Sequence, residues 1–162
     1  MSQFAAGLTI SGKLVGTSDL EKPQSALSIS GVGVTLTAGT GNNQFNQLWS
    51  DSRSIGTGGE SLGLSGSLTN ALGATVNFTA VKAIYIRNKA ASGNLIVGNA
   101  ASNGFISWVG ALAHTITIPP GGVFMLTAPL AGFGVTGGTA DLLKIAASAG
   151  TIDYDIVLAG VA

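Results

Sequence analysis

One stretch of the chain has apolar residues at both odd-numbered and even-numbered positions, which marks it as a central strand. In residues 76–88, VNFTAVKAIYIRN, Val81, Ala83 and Tyr85 alternate with two isoleucines. Successive side chains of a strand point to opposite faces. A strand that is apolar on both faces belongs in the middle of a sandwich or beneath a neighbouring subunit. This stretch is therefore predicted to be the core strand, with Val81, Ala83 and Tyr85 on one of its faces.

Two further stretches alternate between apolar and polar positions. Residues 61–68, SLGLSGSL, place three leucines on one face, which is typical of a half-buried antiparallel strand. Residues 153–158, DYDIVL, set Tyr154 and two aliphatic side chains against Asp153 and Asp155. Each of these stretches is predicted to turn one face toward a core.

Within residues 26–38, ALSISGVGVTLTA, the apolar residues change from odd-numbered to even-numbered positions. Leu27 and Ile29 have one parity, and Leu36 has the other. The apolar face switches at Gly31 and the serine before it, as it would across a β-bulge, where one extra residue is inserted into a strand.

Short strands separated by Gly, Asn or Pro continue to the end of the chain, among them residues 94–97 and 105–109. We count roughly ten, the pattern of an antiparallel β-sandwich or closed barrel. With 25 glycines among 162 residues, long helices are disfavoured, since Gly costs about 1 kcal/mol in a helix relative to Ala. The fold class expected is all-β, an antiparallel β-sandwich, with a jelly roll preferred by analogy with assembly proteins of this length. Residues 1–23 are expected to form an N-terminal arm or edge strand and residues 24–162 the sandwich domain.

Composition narrows the function. Charged residues make up only 9%, and seven basic residues offset seven acidic ones, so no basic stripe is available for nucleic acid. Near-zero net charge favours association. There is no cysteine for a disulfide or a thiolate metal site. No apolar run approaches the roughly 18 residues of a membrane span, and we expect no signal peptide.

Candidate chemistry is sparse. His114 is the only histidine, and we expect an ordinary hydrogen bond for it rather than a metal site. Asp153 and Asp155 could bind a cation, but two acids on one strand are more often solvated or paired with a basic residue. No GxSxG or phosphate-binding loop occurs. Neither an enzyme, a metal nor a cofactor is expected, and Trp49 and Trp108 are predicted to pack in a core.

Contacts with partners are expected from two places. The first is the N-terminal segment, through Phe4, Leu8, Ile10 and Leu14. The second is the polar segment of residues 51–60, where Asp51 and Arg53 lie on one strand face and are expected to form a salt bridge. Loops carry function more often than the scaffold beneath them.

Several runs within residues 45–160 resemble a known class of protein. They are FNQLWSDSRSI, SLGLSGSLTNALGATVNFTAVKAIYIRNK, GFISWVG, IPPGGVFMLTAP and TIDYDIVLAG. Together they are similar to small virion proteins encoded beside the capsid genes of tailed bacteriophages and prophages. Such proteins include head decoration or cement proteins, often of jelly-roll type, that bind the outside of the capsid lattice as oligomers. The motifs are structural rather than catalytic.

The resemblance implies a capsid decoration protein on the virion surface, which bridges neighbouring subunits of the major capsid protein. The chain would assemble with itself, as a dimer or trimer, without nucleic acid or membrane. The alternative is a tail or baseplate β-domain for adhesion or carbohydrate binding. A carbohydrate-binding module would use Trp49 or Trp108 as a sugar platform, and a hydrolase is the least favoured.

Overall fold

Short apolar stretches punctuated by turn residues become strands throughout the chain. The computed structural model describes residues 2–15 and 24–162. Within those ranges the chain forms fourteen strands and no helix, more than the roughly ten strands predicted. The strands are β1 (Gln3–Val15), β2 (Gln24–Ala38), β3 (Gln44–Phe45), β4 (Gln47–Ile55), β5 (Glu60–Gly63), β6 (Ser65–Thr69), β7 (Thr75–Asn77), β8 (Ala80–Asn88), β9 (Leu95–Gly98), β10 (Thr115–Ile118), β11 (Val123–Thr127), β12 (Phe133–Gly134), β13 (Leu142–Ala147) and β14 (Ile152–Val161).

Two antiparallel sheets enclose the main core. Sheet I has the order β11-β8-β14-β4, with β12 also paired to β8, and sheet II has the order β10-β9-β13-β5. Their inner faces contribute Ile86 and Ile156 from sheet I, and Val97 and Ile145 from sheet II, each fully buried. The predicted all-β antiparallel sandwich is confirmed.

The chain repeatedly crosses from one sheet to the other. The consecutive pairs β4–β5, β8–β9, β10–β11 and β13–β14 each place one strand in sheet I and the other in sheet II. The strand order of one sheet matches that of the other, since β4, β14, β8 and β11 correspond in sequence to β5, β13, β9 and β10. The two sheets are therefore wound together rather than built one after the other.

Strand β8 is central, as its apolar pattern predicted. It pairs with β14 on one side and with β11 and β12 on the other. The prediction that Val81 shares a face with Ala83 was wrong. The register to β14 shifts at this point, so Lys82 is an extra residue in β8 and Val81 turns into the core. Gly160 lies opposite this bulge, where an added Cβ would come into collision with the Ala80 carbonyl oxygen.

Two other sequence predictions need correction. Residues 61–68 form two strands rather than one, because the chain changes partner at Leu64. The Leu64 amide still donates to the Asp141 carbonyl beside β13, whereas its carbonyl accepts from the Phe78 amide beside β7. The three leucines of this stretch are nevertheless buried as expected. Residues 105–109 form a turn rather than a strand, closed by hydrogen bonds from the Val109 and Gly110 amides to the Ile106 carbonyl.

Candidate functional site

Strands β1 and β2 form a long antiparallel hairpin, which holds four of the residues predicted to contact partners. Residues 16–23 of the predicted arm lie outside the described part of the chain. The register shifts between Leu8 and Ile10, where two steps along β1 correspond to three along β2. Gly31 takes φ 78° at this point, a left-handed conformation that Gly adopts without strain. The predicted β-bulge is confirmed.

The bulge keeps the apolar residues of the hairpin on one face. Side chains directly opposite each other in a ladder share a face, and Ile10 is opposite Ile29 while Phe4 is opposite Leu36. Without the extra residue, the outer half of β2 would turn its apolar side chains to the opposite face. The result is a single apolar face, to which residues Phe4, Ala6, Leu8, Ile10, Leu14, Leu27, Ile29, Val34 and Leu36 belong.

The base of the hairpin is covered by the protein itself. Leu36 is fully buried against the outer face of sheet I, where Ala83 and Ala159 lie side by side on neighbouring strands. Phe4 packs on Phe45 with ring centroids 6.2 Å apart and planes tilted by 60°. This tilted geometry is favourable for aromatic pairs. The base therefore anchors the hairpin to the sandwich through a second small core.

The distal half of the same face is uncovered. The side chains beyond Ala6 are between 40% and 74% exposed, namely Leu8, Ile10, Leu14, Leu27 and Ile29. An isolated two-stranded hairpin is marginally stable in water, and contiguous exposed apolar patches mark interaction sites in soluble proteins. We call these five residues the distal face.

The reverse face of the hairpin is polar. It carries Thr9, Ser11, Lys13 and Ser28, which alternate with the distal face along the two strands. Lys13 is the one charged residue in the part of the hairpin that the structure describes. The arm is thus amphipathic and almost uncharged.

A shallow apolar groove of about 260 Å³ lies beside the base of the hairpin. Its floor is a row across sheet I in which Met125, Tyr85 and Val157 are aligned on adjacent strands. Phe4 and Ala6 form one wall. The groove extends the apolar surface from the hairpin onto the sandwich.

The second predicted contact segment lies elsewhere. Asp51 and Arg53 are on β4, not in a loop, and they share a face with Trp49 toward the inside of the sandwich. The base of the hairpin packs on the outer face of the same sheet. The structure therefore brings Phe4, Leu8, Ile10 and Leu14 together on one face but separates them from Asp51 and Arg53.

Arg53 is the centre of a polar cluster at the edge of the sandwich. Its Nη1 donates to Asp51 Oδ2 at 2.7 Å, which confirms the predicted salt bridge. Its Nη2 and Nε donate to Glu60 on β5, at 2.6 Å to Oε2 and 3.0 Å to Oε1. Tyr154 donates its hydroxyl to Glu60 Oε1 at 2.7 Å. Since β4 belongs to sheet I and β5 to sheet II, the cluster ties the two sheets together.

The cluster shifts the pKa values of its members. Burial opposes ionisation of Glu60, but the hydrogen bonds from Arg53 and Tyr154 outweigh it and lower the pKa of the carboxyl. Burial, and then the bond to Glu60, raise the pKa of Tyr154. The bond to Glu60 raises the pKa of Arg53 despite burial. Each charge of the cluster has a partner within it. Sequence reasoning missed Tyr154 because its partner Glu60 is distant in the chain. It missed Glu60, which is seven residues from Arg53, because the contact depends on β4 and β5 joining opposite sheets.

Other titratable groups have ordinary partners. Asp155 accepts hydrogen bonds from Ser52 and Lys89 of its own chain, which lower its pKa. His114 Nδ1 is 2.8 Å from the Val109 carbonyl oxygen. Lys82 is 2% exposed, burial lowers its pKa, and its ammonium donates to the Gly41 carbonyl. In the described residues no three His, Asp or Glu side chains are grouped as a metal site.

The large aromatic residues serve the cores. Trp49 is 3% exposed, as predicted, and Phe45 and Phe105 are also buried. Trp108 is half-buried, donates its indole N–H to the Phe105 carbonyl and packs on Phe124 with centroids 5.6 Å apart. Trp49 therefore offers no platform for a sugar ring.

Comparison with known proteins found no relative of this chain. No family model, curated protein or solved structure matches the chain. Among the described residues, no helix has the length and apolarity to cross a membrane.

Proposed function

We propose that this chain is a virion structural protein of a tailed phage, which decorates the capsid exterior and bridges neighbouring capsid subunits as a homo-oligomer. The observation that carries the proposal is the hairpin arm. Its apolar face is anchored at one end to the sandwich and uncovered at the other. Contiguous exposed apolar patches mark interaction sites, so an arm of this kind suits a component of an assembly that binds its neighbours.

The size of the distal face supports an assembled state. Its five aliphatic side chains are each roughly half exposed. Fully burying such a side chain contributes about 2 kcal/mol, so covering the exposed half of all five would contribute about 5 kcal/mol. That is roughly four thousandfold in an association constant. The contribution is large enough to favour a bound arm over a free one.

The hairpin also offers free main-chain edges. Within the described residues, β1 has no partner on its outer side, and β2 meets β3 only at Thr37 and Ala38. Unpaired edges are templates for β-augmentation, in which a partner adds a strand to the sheet. Capsid subunits could be bound in this way while the apolar face contacts another copy.

We infer further that the sandwich is a jelly roll. Four consecutive strand pairs divide between the two sheets, in matching order. A jelly roll is a double sheet of eight strands wound in this manner, and it recurs in viral capsid and lectin domains. The inference about topology supports the role in an assembly by analogy only.

The test uses virions of the phage or prophage that encodes the chain. We expect mass spectrometry to find the protein in purified particles, and electron cryomicroscopy to place it on the capsid exterior. Deletion of its gene should lower the temperature at which the capsid releases DNA. Particles without the protein, or unchanged thermal stability after its deletion, would overturn the proposal. Density at the tail or baseplate instead would support the alternative role in adhesion.

A sharper variant removes the arm alone. Residues 9–31 are replaced by Asn-Gly, a favoured two-residue hairpin turn, so that the base with Phe4 and Leu36 is kept. We expect this variant to fold and to bind the capsid much more weakly. The matched control is Asp51→Asn, which changes the other predicted contact segment and should leave capsid binding intact.

A further inference from the structure

We propose that the free edge of β11 binds an extended segment of a capsid subunit, which adds a strand to sheet I. The inference rests on the proposed function, since it names a contact that bridging requires. A protein that joins two subunits needs a second contact besides the hairpin arm. Strand β11 provides it on the sandwich itself, because it is the last strand on one side of sheet I.

Pairing with β8 uses only half of the main-chain groups of β11. The Asn88 amide donates to the Gly122 carbonyl, and the Ala128 amide donates to the Lys82 carbonyl. In an antiparallel ladder, residues that bond to the partner strand alternate with residues that do not. The even-numbered residues of β11 therefore bond to β8. The residues whose N–H and C=O groups point away from β8 are Val123, Met125 and Thr127.

The outward main-chain groups of β11 are available to a partner. Within residues 2–15 and 24–162, none of the three outward amides donates to another group. Val123 is 55% exposed and Met125 is 38% exposed, so solvent reaches this edge. Outward groups recur about every 7 Å along a strand, which matches the repeat of any extended chain. Strand β11 also lacks the charges and prolines that commonly protect an edge.

The opposite edge of sheet I is protected. The Lys89 amide donates to the Asp153 carbonyl, so the odd-numbered residues of β14 bond to β8 and the even-numbered ones to β4. Ser52 of β4 therefore points outward, but its amide is bonded to Asp51 Oδ1 at 2.9 Å. Asp51 and Arg53 also place charges on the inner face of this strand. Inward charges discourage the addition of a strand, so only the β11 side of sheet I suits a partner.

The side chains at the β11 edge define the chemistry of the segment. Phe124 points inward and packs on Trp108, and both rings are half-buried. The inward side chains of an added strand would lie beside Phe124 and should therefore be apolar. Recognition through the main chain requires N–H groups at the bonded positions, which excludes proline there. The partner is thus an extended, apolar segment without proline.

Proline substitution tests the edge without removing a bond to β8. Proline lacks the N–H group but is tolerated in an edge strand where that group faces solvent. We would measure the binding of purified Met125→Pro to capsids that lack the protein, by co-sedimentation. We expect binding at least about tenfold weaker than that of the wild type, because a donor is lost and the ring obstructs an added strand. Val123→Pro, at the first residue of β11, repeats the test if Met125→Pro does not fold.

Two controls separate the edge from other effects of substitution. Ser54→Pro changes an outward-facing residue of the protected strand β4 and should bind like the wild type. Met125→Ala keeps the amide and should retain most of the binding. Circular dichroism and thermal melts of every variant check that the sandwich is folded.

Hydrogen exchange observes the same edge in the wild type. In the isolated protein, the outward amides of β11 should exchange faster than those of Phe124 and Leu126, which are bonded to β8. In protein bound to capsids, exchange of the outward amides should slow. The exchange measurement therefore needs no substitution.

Each outcome decides the proposal. Wild-type binding by both proline variants of β11, an equal loss in Ser54→Pro, or unchanged exchange on the capsid would overturn the edge contact alone. Slow exchange of the outward amides in concentrated isolated protein would assign the edge to a second copy and would also overturn it. Failure of the wild type to bind capsids would refute the proposed function, and the edge contact with it.

Discussion

Arg53 and Glu60 join the two sheets of the sandwich across its open edge. The guanidinium on β4 donates from two nitrogens to the carboxylate on β5, at 2.6 Å and 3.0 Å to its two oxygens. Bidentate pairs of this kind fix orientation as well as distance. The Tyr154 hydroxyl binds the same carboxylate from the core side. Glu60 is thus the hydrogen-bond acceptor that links the two sheets at this edge of the sandwich.

Removal of this acceptor should destabilise the fold. We expect Glu60→Gln to lower the free energy of unfolding by about 1 to 2 kcal/mol, because the Arg53 charge and the Tyr154 hydroxyl lose an ionised partner. The expected loss in free energy of unfolding is modest because Arg53 and Glu60 are both partly exposed to solvent. Asp51→Asn is the control, since Asp51 is exposed and should cost well under 1 kcal/mol. Urea denaturation followed by fluorescence measures both, and equal effects would contradict the assignment.

The same carboxylate predicts a dependence on pH. The pKa of Glu60 in the folded chain is below its ordinary value of 4.5. Its contribution to stability is therefore present above that value and is lost as pH falls through the folded pKa. We expect the melting temperature of the wild type to fall on acidification below about pH 4.5. Glu60→Gln should show a smaller fall over the same range, and parallel curves would argue against this role.

Gly160 should tolerate no side chain. A Cβ there would collide with the Ala80 carbonyl oxygen, and both partners are backbone, so neither can rotate away. We expect Gly160→Ala to destabilise the protein by more than about 2 kcal/mol. Gly134→Ala is the matched control, because a Cβ at that position meets nothing within 4 Å. Thermal melts of the two variants should differ clearly, and similar melts would mean that the bulge at Lys82 adapts.

The two halves of the hairpin should differ in stability. In a monomeric sample, we expect amides near Leu36 to be protected from hydrogen exchange, and amides near Ile10 to exchange much faster. Phe45→Ala should cost about 3 to 4 kcal/mol, since it opens a cavity beneath the base. Replacement of residues 9–31 by Asn-Gly should lower the melting temperature by only a few degrees. Uniform protection along the hairpin in monomer would contradict this division.

Sequence patterns predicted the face on which a side chain lies wherever that face depends only on nearby residues in the chain. The central position of β8, the alternation around Tyr154 and the bulge at Gly31 all follow from the parity of apolar residues. The face of Val81 did not follow, because the bulge at Lys82 is set by pairing with a strand about eighty residues later. The alternation of apolar and polar residues does not reveal that Lys82 is buried or that a bulge occurs there.

The candidate site was also predictable from the sequence only in part. Exposed Leu8, Ile10 and Leu14 were correctly grouped, because they have one parity in one segment. Their continuation onto Leu27 and Ile29 depends on register, which the pattern of a single strand does not give. Tyr154 is brought to Arg53 by the long-range pairing of β4 with β14. Glu60 is only seven residues from Arg53, and the two meet because β4 and β5 join opposite sheets of the sandwich. The local sequence gives neither the sheet that each strand joins nor the register of β4 with β14.

The bulge at Gly31 also sets where the arm points. It lies at the border between the covered base and the distal face, and bulges bend a strand and increase its twist. Val15 is about 20 Å further along the hairpin, so a bend that differed by about 10° would move it sideways by about 3 Å. The conformation of a single glycine thus sets where the distal face lies relative to the sandwich, and with it the direction in which the arm presents its apolar side chains.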